Sequence, residues 1–353
     1  MTFTCRDLLE KVEFVMQFTG DGGNGDYYDS HKRIKFRNLP SGKIRMSANT
    51  SNIGGHWDFE SGLHIDDFEI KAQDLYDFLK PIKKDPDLKF EKDGNLLVIK
   101  AGRARKKFDI FCENNDLVKN IQTPDEWYEL PDGFYEDMRL TSKIKSETFA
   151  WSQGYLLSFQ TGVTLLAIEK PMIVPEFQVL KSYIGKILSF EPTKIALTKN
   201  CVFFANENQQ IHTTLFVSAI KKISALLDSI KNVPRTTTML FKKDELKEAY
   251  GVLKTGKSVE NNLLRVTLYP KQDGIELSAG DGKQVVYMAT DINTSPDKQI
   301  DKVQLPIDFF HHVFDLGMME DDVVTLRFPE KSNVCCVENG NARYICAVFS
   351  DSV

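Results

Sequence analysis

Apolar residues along this chain change their period repeatedly, and the changes come in a fixed order. In "CRDLLEKVEFVMQF" (5–18), Leu8, Val12 and Val15 recur at the three-to-four spacing of a helix face. "KIRMSANTSNIGGHWDF" (43–59) alternates and turns as a strand pair does. "FEIKAQDLYDFLKPI" (68–82) runs from strand into helix, and "LKFEKDGNLLVIKAGRARKKFDIF" (88–111) reads as strands joined by tight turns. The same succession of helix, strands, helix and strands returns over 133–149, 154–169, 172–185 and 194–216. It returns again over 242–257, 262–290, 303–316 and 323–349, after a long stretch of helical period, "SAIKKISALLDSIKNVP" (218–234). The pattern predicts an α+β protein built from repeated units.

Two strand endings make the repetition specific. "GRARKKFDIF" (102–111) and "GNARYICAVF" (340–349) share Gly-x-Ala-Arg and a terminal Phe across an interval of 238, two thirds of the 353-residue chain. A middle copy then ends at Phe216. Asp74, Glu176 and Asp308, read as helix-start acids, precede Phe111, Phe216 and Phe349 by 37, 40 and 41 residues. Pro175 and Pro306 stand where a first helical turn tolerates a missing N–H, and the acids just after them suit the positive end of the helix dipole. Lys-Asp-Gly-Asn at 92–95 and Glu-Asn-Gly-Asn at 338–341 are turn chemistry between β-rich runs. A period this long exceeds the roughly 20–50 residues of solenoid repeats. The expectation is three tandem domains, 1–120, 121–232 and 233–353, with Gly102 and Gly340 opening the last strand of the outer two and Phe111 and Phe349 closing it.

Composition narrows the function classes. At 42% hydrophobic and 27% charged the chain reads as an ordinary soluble protein. It has no apolar run long enough to span a bilayer, and "MTFTCRDLLEKV" lacks the layout of a secretion signal, so a cytoplasmic location, in a bacterium or a phage-infected host, is expected. The six cysteines include no CxxC pair, and Cys335 and Cys336, adjacent on a strand, point to opposite faces; buried free thiols are expected. His311 and His312, with Asp308, Asp315 and Glu320 nearby, form the one cluster open to reading as a metal site. Adjacent histidines on a helix diverge by about 100°, whereas ligation favours i,i+4, so no metal, cofactor or catalytic site is expected. "GDGGNG" (20–25) lacks the Lys-Ser/Thr of a phosphate loop and reads as a plain loop.

The formal net charge of −5 excludes a protein that coats nucleic acid by bulk attraction, but the cations are sorted. On the helix from 242, Lys243, Lys247, Lys254 and Lys257 share one side, beside an apolar stripe of Leu246, Ala249, Tyr250 and Leu253, with Asp244, Glu245 and Glu248 turned away. Salt bridging at i,i+4 would mix the signs instead. Arg139 and Lys143 repeat the arrangement in the middle copy; Lys80, Lys83 and Lys84 follow the second helix of the first copy, and Lys181 and Lys186 occupy that of the middle one. Such faces suit phosphates touched from several sides without base readout, with the acids on other surfaces.

With these residues in view, the chain resembles the sliding clamps of replicative DNA polymerases, in their bacterial three-domain form. "MTFTCRDLLEKV", "LFKKDELKEAYGVL" with "GIELSA", and "LPIDFFHHVFDL" through "GNARYICAVF" carry the likeness by order and spacing. The resemblance implies two chains joined head to tail into a six-domain ring, helices lining the hole and antiparallel sheets outside, so that His311 and His312 would both face solvent or DNA. Double-stranded DNA, the replicative polymerase and a clamp loader are the implied partners. It implies a peptide pocket at Thr161, Gly162, Thr164, Leu165, Val233, Pro234 and the tail from Phe349 to Val353. Val163-Thr164, where the family carries His-Arg, and the tail "VFSDSV" depart from the bacterial pattern and point to a divergent, phage-like clamp. A protein-binding scaffold of the same fold, with no use for the lysine stripe, stays open as the alternative.

Overall fold

The computed structural model describes residues 3–20, 30–62, 66–111, 124–160, 164–172, 174–215, 235–256, 264–279, 282–294, 302–329 and 333–349. Over the first third of the chain come α1 (Cys5–Met16), β1 (Arg33–Asn38), β2 (Ile44–Asn49), β3 (Ile53–Phe59), β4 (Phe68–Lys71), α2 (Ala72–Leu79), β5 (Leu88–Asp93), β6 (Leu96–Ala101) and β7 (Ala104–Asp109). The middle third holds β8 (Tyr128–Glu129), α3 (Phe134–Ser142), β9 (Thr148–Ser152), β10 (Tyr155–Gln160), β11 (Thr164–Glu169), β12 (Phe177–Leu180), α4 (Ile184–Leu188), β13 (Lys194–Leu197), β14 (Cys201–Ala205) and β15 (Gln209–Thr214). The last third holds β16 (Arg235–Lys242), α5 (Lys243–Leu253), β17 (Arg265–Lys271), β18 (Gly274–Ala279), β19 (Gln284–Met288), β20 (Asp291–Thr294), β21 (Val303–Pro306), α6 (Ile307–Asp315), β22 (Val323–Pro329), β23 (Val334–Asn339) and β24 (Ala342–Ala347). Every strand pairing is antiparallel. No helix among the described residues is long and apolar enough to cross a membrane.

Contacts divide the chain into two units, Met1–Leu130 with Gly185–Leu215, and Pro131–Ile184 with Phe216–Val353. The first holds a sheet in the order β4-β1-β2-β3-β15-β14-β13-β8 and a smaller one, β5-β6-β7. Here α1 starts on a capping box: Thr4 Oγ1 accepts from the Asp7 N–H, while the Asp7 carboxylate accepts from the Thr4 N–H. Its Leu8, Val12 and Val15 are buried. The Gly54-Gly55 pair lets neighbours approach β3 closely: a Cβ at Gly55 would lie 2.4 Å from the Phe18 ring, and one at Gly54 would lie 2.5 Å from His212. The second unit holds β12-β9-β10-β11-β24-β23-β22-β16-β20 and β19-β18-β17-β21.

The two repeated strand endings occupy matching places. Phe111 N–H donates to Glu69 C=O and Phe349 N–H to Gln304 C=O, both at 3.0 Å. The guanidinium of Arg33 lies 3.9 Å from the Phe111 ring centre, and that of Arg265 lies 4.4 Å from the Phe349 ring centre. One residue earlier, Ile110, Leu215 and Val348 donate to Asn95, Asn200 and Asn333, so the middle copy follows the same path, although Phe216 itself lies outside the described residues. Gly102 and Gly340 adopt φ of +61° and +54° in two-residue hairpin turns, a region open to glycine.

Two sequence expectations need correction, and one strand had no sequence signal. The helix read over 133–149 ends at Ser142; Thr148–Ser152 is a wholly buried strand, which suits its β-branched and aromatic residues. Pro175 and Glu176 do not start a helix: Phe177–Leu180 pairs with β9, Glu176 accepts from Ser152 Oγ at 2.7 Å, and the helical turn begins at Lys181. The strand β1 was not legible, because its outward positions are Arg33, Lys35 and Arg37. Arg33 and Lys35 are nonetheless buried, 3.7 and 3.2 Å from the Glu69 carboxylate that makes their burial tolerable. The segment 218–234 and most of "GDGGNG" lie outside the described residues.

Candidate nucleic-acid interface and partner sites

In α5, Leu246, Ala249 and Leu253 are buried as the apolar stripe requires, and Tyr250 is half-buried. That fixes Lys247 and Lys254 in solvent. Lys254 Nζ lies 5.7 Å from the Tyr250 ring centre. Lys243 is engaged by Asp322 at 3.1 Å, and Lys257 lies outside the described residues.

The remaining cations divide by what holds them. Lys83, Lys84 and Arg139 are exposed. Lys80 is exposed with its ammonium 4.9 Å from the Tyr76 ring centre, and a hydrogen bond that it donates to the Tyr76 side chain raises its pKa. Lys143 Nζ donates to the Asp315 carbonyl at 2.8 Å, satisfying an acceptor in the last turn of α6. Lys186 does the same at the end of α1, donating to the Gln17 carbonyl with its ammonium near the Phe18 ring. Partial burial lowers the pKa of both Lys181 and Lys186. Sequence reading placed Lys143 and Lys186 among phosphate contacts; the structure also gives each a helix-capping task. No local pattern signals this, because the acceptors are 172 and 169 positions away.

Several acids are exposed on the same helices or on neighbouring ones. Glu10 and Glu13 of α1, Asp74 and Asp77 of α2, and Asp308 and Asp315 of α6 all occupy exposed helix positions. Glu136, Asp244, Glu245 and Glu248 are exposed on α3 and α5. α1, α3 and α5 thus carry exposed residues of both signs, whereas α2 and α6 contain acids and no lysine or arginine.

The two adjacent histidines part ways. His311 is exposed, 3.2 Å from Asp315 and stacked against Tyr250. Contrary to expectation, His312 is buried: its Nδ1 lies 2.8 Å from the hydroxyl of the fully buried Tyr344, which stacks on Phe309. Burial lowers the His312 pKa, keeping the imidazole neutral for this bond. No group of three or more His, Cys, Asp or Glu side chains among the described residues is arranged to hold a metal. Cys5, Cys201, Cys335, Cys336 and Cys346 are buried thiols in no disulfide. Cys335 faces Cys346 across the β23–β24 ladder while Cys336 faces Ile345, the opposite-face arrangement read from the sequence.

Of the peptide-pocket positions, Thr161, Gly162, Val233, Pro234 and Val353 lie outside the described residues. Thr164 and Leu165 are buried in β11, opposite Cys346 and Ile345 of β24. Leu165 packs with Leu157, Phe159, Ala167 and Cys336. Phe349 is half-buried, tied by its backbone to Gln304 and covered by Arg265.

No protein-family model matches the chain, and no curated protein matches it in sequence. Solved structures match it over its whole length. Pol III beta of Caulobacter crescentus is 15% identical, with 99% of this chain and 100% of that one covered and a TM-score of 0.77. The DNA polymerase sliding clamp of Bacillus subtilis is 13% identical over 99% of each chain, TM-score 0.74. The DNA polymerase III subunit beta of Pseudomonas aeruginosa is 12% identical over 99% and 100%, TM-score 0.74. The chain therefore has the fold of these proteins from end to end.

Proposed function

We propose that this chain is a DNA polymerase sliding clamp: a non-catalytic processivity factor of three domains, 1–120, 121–232 and 233–353, that closes head to tail with a second copy around duplex DNA in the cytoplasm. The observation that carries this reading is a pair of strand edges left over by the repeat. Within the first unit β3 pairs with β15, and within the second β11 pairs with β24. Counting through each sheet from the residue that caps the second helix (Lys71, Leu180 or Pro306), the two joints have one register. Trp57 opposite Gln209 corresponds to Ile168 opposite Ala342. The remaining strands in this series, β19 and β7, end their sheets without a partner among the described residues.

The shared register pairs β19 with the β7 of a second copy: Val286 opposite Ala104, Val285 opposite Arg105, Gln284 opposite Lys106 and Lys283 opposite Lys107. Exposure supports it. Among the described residues the exposed large hydrophobics are Leu180, Val252, Val285 and Tyr287, at 36, 46, 50 and 56%, and the last three belong to α5 and β19. In the first copy the position matching Val252 is Phe14, packed against Trp57 and against Phe190 of the following copy. An unpaired edge beside exposed apolar side chains invites association, and a head-to-tail contact that closes leaves no edge open.

Lys83, Lys84, Arg139, Lys247 and Lys254, all exposed, then serve phosphate contact with Lys80, Lys181 and Lys243 beside them. The carboxylates among them keep such contacts weak, which suits a ring that holds DNA by topology and must slide. The polymerase and the clamp loader are the proposed partners, at the pocket implied by Thr164, Leu165 and Phe349. The decisive test pairs a mass measurement with a topological one. Light scattering should give twice the 40.3 kDa chain mass, and protein loaded on nicked circular DNA should be lost when the circle is cut. A dimer that is never retained on circles would favour a scaffold of the same fold, the reading that the exposed acids of α1, α2 and α6 support.

A further inference from the structure

One place in the first unit has a chemistry that its counterparts lack. An open groove of about 420 Å³ lies between the start of α1, the end of β3 and the β14–β15 turn. Inside it the Lys11 ammonium sits 4.8 Å from the ring centre of Trp57, 5.5 Å from that of Phe59 and 6.0 Å from that of Phe3. Phe3 and Phe59 stack at 5.1 Å. Among the described residues Lys11 Nζ donates only to the Asp7 carbonyl, at 3.1 Å.

The fold does not require this cage. Aligning the residues that cap the first helices, Thr4, Gly133 and Lys242, puts Leu140 and Ala249 where Lys11 stands. The shared strand register puts Ile168 and Val286 in place of Trp57, and Lys170 and Met288 in place of Phe59. At the second site Lys170 pairs with Asp137 at 2.7 Å. Among the described residues, three aromatic rings around one cation occur in the first copy alone.

The carboxylates beside the cage are unequal. Asp7 is committed to Thr4 and Asp58 to a two-point pair with Arg45 at 2.7 and 2.8 Å. Glu60 is exposed and makes no hydrogen bond or ion pair among the described residues. Trp57 is half-buried, so its ring is reachable from the groove. A π face beside an unengaged carboxylate selects cations, and arginine, planar and weakly hydrated, fits it best.

We propose that this groove is a docking site for the arginine or lysine side chain of a partner peptide, stacked on Trp57 and paired with Glu60, with Lys11 as a resident cation that competes for the cage. The site stands whether or not the chain encircles DNA. The test titrates the full chain with N-acetyl-arginine methylamide and follows the indole N–H signals of Trp57, Trp127 and Trp151 by NMR. A saturable shift confined to Trp57, in the millimolar range, is expected, with none from N-acetyl-glutamate. Lys11→Met should tighten binding several-fold by removing the competitor, and Glu60→Gln, at an exposed position, should weaken it several-fold in a folded protein. Absence of a saturable shift at Trp57, equal shifts at all three tryptophans, or an unchanged affinity in Glu60→Gln would each overturn the site.

Discussion

Introducing cysteines at Arg105 and Val285 tests the proposed joint between copies at the level of single residues. Directly opposed residues in an antiparallel pair have Cα atoms about 4.5–5.5 Å apart, inside the roughly 4.4–6.8 Å that a disulfide spans. The expected register follows two precedents within the chain: Gln210 opposite His56 and Arg343 opposite Ala167 are the matching pairs in the first and second units. The backbone repeats as well, Asp58 N–H donating to Asn208 C=O and Glu169 N–H to Asn341 C=O, both at 2.8 Å, so Tyr287 N–H should donate to Arg103 C=O of the second copy. Under mild oxidation the Arg105→Cys, Val285→Cys chain should run at twice 40.3 kDa on a non-reducing gel. Background should be low, because Cys5, Cys201, Cys335, Cys336 and Cys346 are buried; Cys112→Ser removes the remaining thiol. Pairing Arg105→Cys with Val286→Cys is the control, since a one-residue shift sends the two side chains to opposite faces of the sheet. Equal cross-linking of both pairs, or none of the first in a chain that light scattering shows to be dimeric, would refute the register and the repeat argument behind it.

Three further outcomes are expected. The same register sets Lys107 against Lys283, where the second unit has Ile345 against Leu165; like charges opposed in a ladder cost about 0.2–1 kcal/mol, so Lys283→Glu should lower the dimer dissociation constant, measured by analytical ultracentrifugation. Lys247→Glu with Lys254→Glu should shorten retention on circular DNA while leaving the thermal midpoint nearly unchanged, because exposed charges contribute little to stability; unaltered retention would reduce the stripe to a solvated face. Burial holds His56 down to about 3, helped by Arg45, and His212 down to about 4. Both folded values lie below the unfolded value of about 6.5, so the unfolded chain takes up protons first; stability is whole above about pH 6.5 and falls towards about pH 4, by up to about 1.4 kcal/mol per pH unit for each histidine. Urea midpoints measured across that window should flatten in His56→Gln, His212→Gln, and an equally steep profile in that variant would exclude these groups as the cause.

Much of the architecture was written locally. The stripe Leu8, Val12, Val15 and the capping pair Thr4 and Asp7 specify α1 with no help from the rest of the chain, and Leu246, Ala249 and Leu253 do the same for α5. Gly102 and Gly340 mark their hairpins because the turn needs a positive φ that other residues resist. The repetition was legible for the same reason: the path that ties Phe111 to Glu69 and Phe349 to Gln304 demands the same residue types at both ends of the chain.

What tertiary structure decided was wherever burial overrode local preference or a partner came from far along the sequence. Thr148–Ser152 continues a helical pattern on paper and becomes a strand because its five residues fill a sheet interior. Arg33 and Lys35 conceal β1 because the partner that helps make their burial tolerable, Glu69, is distant in sequence. His312 looks like its neighbour and is buried against Tyr344 of β24, while Lys143 and Lys186 cap helices whose ends lie far away in sequence. Sequence periodicity reports which face of an element is apolar; it carries no record of which distant group will meet the other face, and that meeting separates a solvated lysine from a cap, and Lys11 in an aromatic cage from an ordinary surface charge.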